Sequence, residues 1–585
     1  VSAWYAFAAV VVLAATLFAA ARLLLPYADQ YNTELGERLS SYLNQPVLVR
    51  ALDAEWHGWG PSLVLRDATL LDSMGEQPVL SLKKVRLGFD LLSSARHWQP
   101  VFSNITLVGV DLVLTRNKKG EFSAAGISKQ KKSVSRKPKD SALVMAWLFS
   151  QGRLGLENSN ITWRDEMGAG RVMHFSAVNV SLRNDGDRHQ LNASLDLSRK
   201  LGKSLVLRVD MHGNPLQAEG RRTQLYLAGE YVHLTELFEP QSLAGVNVSV
   251  KNASFRLWGR WKDGQLQRIN GNADADGLAL VPVAIDSDKK PLLLNRASAD
   301  FDWRIVEGGW QFDANKLQLA NQSRQWRPAR VSLRFVKPTE DAAKFDAYAS
   351  FLQLEDISQI LSLFSVGGEA VQLPLFAISP RGEIQDAEVS WQAGDVPQYH
   401  SYARLQNASV NAWRAIPTAK NVDGQLWLDS ANGQVELQHA TVILDFPSLF
   451  RWPLAVDELR GNVAWRQKGD SWQIIGRNLE ARNEDITASA TLDVTHDDVN
   501  QSPFMSLLVN FHDGDGSQIA RYLPTGIMAV EAVDWLDEAI VDAQVRSGGA
   551  IFHGRLADFP FDRGEGRFEV SFAVENASLN YAKDW

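Results

Sequence analysis

Between Ile486 and Val494 every even-numbered residue is apolar, in the order Ile486, Ala488, Ala490, Leu492, Val494, against Thr487, Ser489, Thr491 and Asp493 at the odd positions. A side-chain period of two is that of a β-strand, and it commits one face of the strand to dryness and the other to water. The run 567–575 repeats the pattern, with Phe568, Val570, Phe572 and Val574 on one face and Arg567, Glu569 and Glu575 on the other. From Pro46 onward this alternation dominates, broken about every ten to twenty residues by Gly, Asn and Asp turns. The chain is expected to be mainly β, a succession of half-buried strands.

Helical periodicity is confined to short stretches. In 29–43 the apolar residues Tyr31, Leu35, Leu39, Tyr42 and Leu43 recur mostly at spacings of three and four, an amphipathic helix ending near Pro46. Further helices are expected over 141–151, 355–364, 518–523 and 530–541. Residues 128–139 are half Lys or Arg, the composition of a solvated, disordered loop, and lipid headgroups are a second reading of it.

A loose repeat, Asn-x-Ser/Thr followed by an apolar residue, starts at Asn104, Asn160, Asn179, Asn192, Asn247, Asn252, Asn407 and Asn576. Read as glycosylation acceptors, these mark a secreted glycoprotein. Read as structure, Asn takes the turn before a strand that Ser or Thr then begins. The structural reading is preferred, because the motif runs on as alternation, as in Asn252-Ala253-Ser254-Phe255-Arg256-Leu257.

Residues 3–21 carry no charge and are almost wholly Ala, Val, Leu, Phe, Trp and Tyr. At about 1.5 Å per helical residue they span roughly 30 Å, the thickness of a bilayer core. A cleaved signal peptide, with Ala19-Ala20-Ala21 as its small-residue site, has a shorter apolar region, so a retained anchor is expected, with Trp4, Phe7, Val11, Leu17 and Phe18 facing lipid. The division that follows is an anchor over 1–28, an amphipathic helix over 29–45, a first β segment over 46–127, a basic loop over 128–140 and a continued β body with short helices over 141–585.

Composition narrows the function. The net charge of −8 argues against nucleic acid, whose binders need a basic face to displace phosphate counterions. With no Cys among 585 residues, disulfides, thiolate catalysis and Cys-ligated metal sites are excluded. There is no Walker A sequence, no Gly-x-Ser-x-Gly elbow and no His-Glu-x-x-His pair. The segment Asp513-Gly514-Asp515-Gly516 lacks the ligand spacing and closing Glu of a calcium loop. Glu55-Trp56-His57-Gly58-Trp59-Gly60 reads as a glycine-punctuated turn, and the 19 Trp as sheet packing. No catalytic residue, metal or cofactor is expected.

The anchor, the amphipathic helix and Leu43-Asn44-Gln45-Pro46-Val47, followed by Trp56, Gly60-Pro61 and Leu63, resemble the start of AsmA-like envelope proteins. Asp515-Gly516-Ser517, Arg521-Tyr522-Leu523-Pro524, Trp535-Leu536, Gly548-Gly549, Phe559-Pro560-Phe561, Gly564-Glu565-Gly566-Arg567-Phe568 and Asn576-Ala577 resemble the YhdP type within that family, a relative of TamB. Members are roughly twice as long, so the chain is expected to be an N-terminal half.

The resemblance implies a long curled antiparallel β-sheet whose concave face is an apolar groove for phospholipid. It also implies a single-pass anchor in the inner membrane of a Gram-negative envelope, a periplasmic body and, through a C-terminal half, contact with the outer membrane or its proteins. Strands stacked about 4.8 Å apart would let roughly 25 to 30 of them reach on the order of 120 to 140 Å. The dry-face positions Ile105, Leu107, Leu112, Leu195, Leu197, Phe255, Leu257, Ile486, Leu492, Phe568, Val570 and Phe572 are then the groove candidates. Two rivals stand beside this transporter: a scaffold or outer-membrane assembly factor whose dry faces close as β-sandwich cores, and a tethered glycan hydrolase using Asp513 and Asp515.

Overall fold

The computed structural model describes residues 46–57, 60–71, 78–89, 102–117, 122–126, 148–149, 152–166, 172–238, 241–284, 289–338, 342–366, 368–413, 416–438, 441–497 and 502–580, with isolated positions among 4–40. They form 31 strands and a few short helices, as alternation from Pro46 onward requires. The chain divides into two compact units. One comprises Val1–Glu239 and Val250–Ala275, the other Pro240–Ser249 and Asp276–Trp585.

In the first unit, hairpin-connected neighbours such as Val172–Asp185, Arg188–Leu197, Ser204–His212 and Arg222–His233 pair antiparallel in chain order. The expectation of a purely antiparallel sheet is corrected at one place. Phe102–Val108 and Asp111–Arg116 both pair in parallel with Arg153–Asp165, end to end along the same strand. Parallel neighbours need a long connection, and the chain between Gly126 and Arg153 provides it. Where the two short strands meet, the buried Ser159 hydroxyl accepts from the Val110 N–H at 3.1 Å, while the Val110 carbonyl accepts from the Asn160 N–H.

In the second unit the order is again sequential from Leu292–Val306 to Arg567–Leu579, with one elaboration. Strand Thr418–Asp429 carries both Asn432–Leu437 and Val442–Asp445 on one side, and Glu458–Lys468 then resumes the sheet beside Asn432–Leu437. The strand expected over 486–494 spans Thr487–His496. Ile486 precedes it in a turn, where Asn483 Oδ1 accepts from the Asp485 and Ile486 N–H groups at 3.0 Å each.

The helix expected over 355–364 is Leu354–Leu363, and that over 530–541 is Val530–Ala539. The stretch 518–523 falls on a 3-10 helix, Gly516–Arg521, opened by Asp515, whose carboxylate accepts from the Ser517 N–H. Of 141–151 only Leu148 and Phe149 are described, both helical. Helix Gly368–Ile378 went unanticipated because Pro374 lies inside it, where a proline forfeits a hydrogen bond and clashes with the preceding turn.

The basic loop and most of the anchor and amphipathic helix lie outside the described residues. Among the described residues no helix is long and apolar enough to cross a membrane.

The Asn-x-Ser/Thr motifs stand inside strands rather than before them, which corrects the turn reading and gives it a mechanism. Among the described residues, Asn158, Ala177, Tyr231, Lys316, Asp386, Asn407, Asn478 and Asn576 have positive φ, and these eight fall where strand register slips by one. Each is a β-bulge, whose extra residue bends the strand and strengthens its twist. The motif side chains serve these bulges. Ser254 Oγ accepts from the Tyr231 N–H at 3.0 Å, Ser409 Oγ from the Asn421 N–H at 3.3 Å, and Asn179 Oδ1 from the Asn158 N–H at 3.0 Å.

Candidate functional site

Residues directly opposite one another on neighbouring strands share a face of the sheet. In the first unit, one such line runs from Leu65 through Val85, Leu107, Leu156, Val180, Ala193, Leu207 and Leu227 to Leu257. Every member is aliphatic. The adjacent line runs from Leu63 through Leu87, Ile105, Leu154, Leu182, Leu191 and Val209 to Leu225.

The second unit has its own line, from Trp303 through Phe312, Leu333, Ala347, Val389, Ser401, Leu428, Gly433, Trp465, Ile474 and Val494 to Met505. A parallel one joins Leu426, Val435, Val463, Gly476, Leu492, Leu507, Phe552 and Phe568.

The sequence candidates fall on these faces with one exception. Ile105, Leu107 and Leu257 belong to the lines above, and Leu195 pairs with Leu205, itself opposite Gly229, which faces Phe255. Leu112 joins through Ile161 and Phe175 to Leu197. Leu492, Phe568, Val570 and Phe572 share the face of the second unit, the last three paired with Phe552, Ala550 and Gly548. Ile486 lies beyond the strand end. Of the anchor residues only Trp4 is described, helical and 75% exposed; Phe7, Val11, Leu17 and Phe18 lie outside the described residues.

Residues such as Leu154, Leu207, Phe312 and Leu507 escaped the sequence reading. Their signal was present as the same alternation, for instance Leu205, Leu207 and Val209 in Ser204–His212, but which strands adjoin could not be read from it.

The opposite face is polar and internally paired. Arg188 donates to Asp210 at 2.6 Å, and that hydrogen bond, ahead of the charge attraction, holds the Asp210 carboxyl below its usual range. Arg208 lies 5.6 Å over the Tyr226 ring. In the second unit Arg304 meets Asp302 at 2.7 Å, Ser332 donates to Asp313 and Ser390 to Asp346 at 2.7 Å each, and Gln473 donates to Asp493 at 2.8 Å. His189 is an ionisable residue on the apolar side, opposite Met211. Burial pushes its imidazole below the ordinary value, which keeps it neutral there.

The apolar faces are unevenly covered. Buried clusters interrupt them: Leu52, Leu65, Ala68, Val85 and Leu87, where both lines begin, and Leu197, Leu201 and Val232 in the first unit; and, in the second, Val442, Val456 and Leu459, then Leu292, Leu294 and Leu363, then Trp326, Ala329 and Phe351. Helix Leu354–Leu363 closes over the last two through Ile360, Phe364 and Ile357. Away from the clusters the second unit's face stays partly open, with Ile305 47%, Val389 40% and Tyr399 40% exposed. Among the described residues no group of three or more His, Asp or Glu side chains converges to hold a metal ion.

Fold and site define a class: a β-sheet protein whose two units each carry one polar, charge-paired face and one apolar face only partly buried. The chain belongs to the YhdP protein family, whose model matches residues 2–585. It is 22% identical over 592 aligned positions to the intermembrane phospholipid transporter YhdP of Escherichia coli (strain K12), an alignment covering 99% of this chain and 44% of that protein. The chain thus spans a little under half the length of that curated relative. No solved structure matches it.

Proposed function

We propose that this chain is the inner-membrane-proximal part of a non-enzymatic phospholipid carrier, in which the apolar face of each unit receives acyl chains while headgroups remain in water. One observation carries the reading: aliphatic and aromatic side chains align in register across strand after strand, yet most of them stay only partly buried. Soluble proteins rarely leave a large apolar surface uncovered unless it meets an apolar partner. A phospholipid tail is such a partner, each methylene gaining about 0.8 kcal/mol on leaving water. Because successive positions along a line are chemically alike, a tail moves between them at little cost and needs no catalyst. The relative's designation as an intermembrane phospholipid transporter supports phospholipid as the cargo. The apolar stretch at 3–21 supports an inner-membrane anchor with the body in the periplasm, bridging toward the outer membrane.

The test is mass spectrometry of lipid co-purified with the intact protein, beside a Leu492→Asp variant. Wild type is expected to carry phospholipid, and the variant, folded by circular dichroism, to lose it about tenfold, as a charge enters the acyl path. Wild-type protein free of phospholipid overturns the reading.

A further inference from the structure

The apolar face is not floored evenly. At intervals an aromatic residue stands directly opposite a glycine: Phe255 opposite Gly229 in the first unit, and Trp465 opposite Gly433 and Phe511 opposite Gly548 in the second. In each pair the ring lies across the neighbouring strand, in the space a side chain would need. A Cβ on Gly229 would stand 2.6 Å from Phe255 Cζ, and a Cβ on Gly433 or Gly548 would fall against the Trp465 or Phe511 ring closer still. Carbon atoms in contact keep about 3.5–4.0 Å apart, so any side chain at these glycines lifts the ring off the strand. An aromatic laid over a glycine covers bare backbone and keeps its bulk at the floor of the face rather than above it.

We propose that Gly433 and Gly548 are specificity-determining positions that set the depth of the acyl-chain track, by letting Trp465 and Phe511 lie flat beneath the lipid. The inference rests on the reading of this face as a lipid track and adds which residues control what passes. A raised ring obstructs a tail bent by a cis double bond before a straight, saturated one. Gly433 and Gly548 therefore keep the track open to unsaturated phospholipid.

The experiment places a photoreactive residue at Val463, two positions from Trp465 on the same face, in the intact protein, and quantifies phospholipid crosslinks by mass spectrometry. Gly433→Ala is expected to lower crosslinking at Val463 about tenfold and to shift the remainder toward saturated chains, as overpacking a tight site does. The double variant Gly433→Ala/Trp465→Ala is expected to restore it, which a merely structural role for the glycine would not produce. Gly548→Ala, read from a probe at Val509, repeats the test independently. Trp465→Ala alone, which leaves every glycine in place, is expected to keep or raise crosslinking with unsaturated lipid, and it decides the matter where a glycine variant does not fold. Unchanged crosslinking in a folded Gly433→Ala protein, or its loss in Trp465→Ala, overturns the inference. Absence of crosslinks in wild type at Val463, Val509 and Leu492 alike would instead remove the lipid-track reading beneath it.

Discussion

Asp356 is 1% exposed, and its carboxylate accepts from Arg324 at 2.7 Å and from the Trp326 indole N–H at 2.8 Å. This ties helix Leu354–Leu363 to the loop that ends strand Gly309–Ala320, so the group closing the strand ends is polar inside and apolar around. Asp356→Ala leaves the indole N–H without its acceptor and the guanidinium with only Glu355, 3.5 Å away, and is expected to cost about 2–3 kcal/mol in denaturant unfolding. A second ion pair is pH-dependent. Arg451 contacts both carboxylate oxygens of Asp537 at 2.7 Å, and this hydrogen bonding outweighs partial desolvation to hold the Asp537 carboxyl below its usual range. A depressed folded-state pKa contributes stability above the unfolded value of about 3.9, lost as pH falls through the folded one. Protection factors of the amides of helix Val530–Ala539, corrected for the intrinsic exchange rate, are therefore expected to fall below about pH 4 but not to change between pH 5 and 8, and Arg451→Ala to remove that dependence.

At the scale of elements the bulges are the recurring device. Asn407 has φ 50°, and its N–H donates to Asp423 Oδ1 at 2.7 Å. A β-branched residue resists that conformation, so Asn407→Val is expected to destabilise by about 1–2 kcal/mol and Asn407→Gly to be near neutral, measured by urea unfolding. Ser254→Ala removes the acceptor of the Tyr231 N–H and is expected to cost about 1 kcal/mol, with faster hydrogen exchange at that amide.

Alternation made the strands and their dry sides legible, because period two needs only the local sequence. Bulges were not legible, since the left-handed residue is Asn at some of them but Ala177, Tyr231 or Lys316 at others, and nothing in those side chains announces it. The parallel pairing with Arg153–Asp165 was hidden for a different reason: it depends on a distant partner, which alternation does not name. For the same reason Leu492 and Phe572 could be assigned to a dry face, but not to a line of neighbours.

At the scale of the whole molecule, the transporter and scaffold readings differ in what meets the apolar faces. Closed sandwich cores would bury positions such as Ile305, Val389 and Tyr399, which are 47%, 40% and 40% exposed. Val389→Asp is accordingly expected to leave the melting temperature nearly unchanged while reducing bound phospholipid, whereas a charge forced into a closed core would unfold it. The hydrolase reading has no support in geometry: Asp513 pairs with its neighbour His512 at 2.8 Å, and Asp515 caps the 3-10 helix Gly516–Arg521.

The most direct measurement is photocrosslinking of the intact protein in phospholipid membranes from Phe255 in the first unit and from Leu492 and Phe572 in the second, with the adducts identified by mass. Phospholipid captured at all of these positions is the result the account predicts. A stable protein that captures none would contradict it, and the apolar faces would then have to be protein-covered cores of a scaffold.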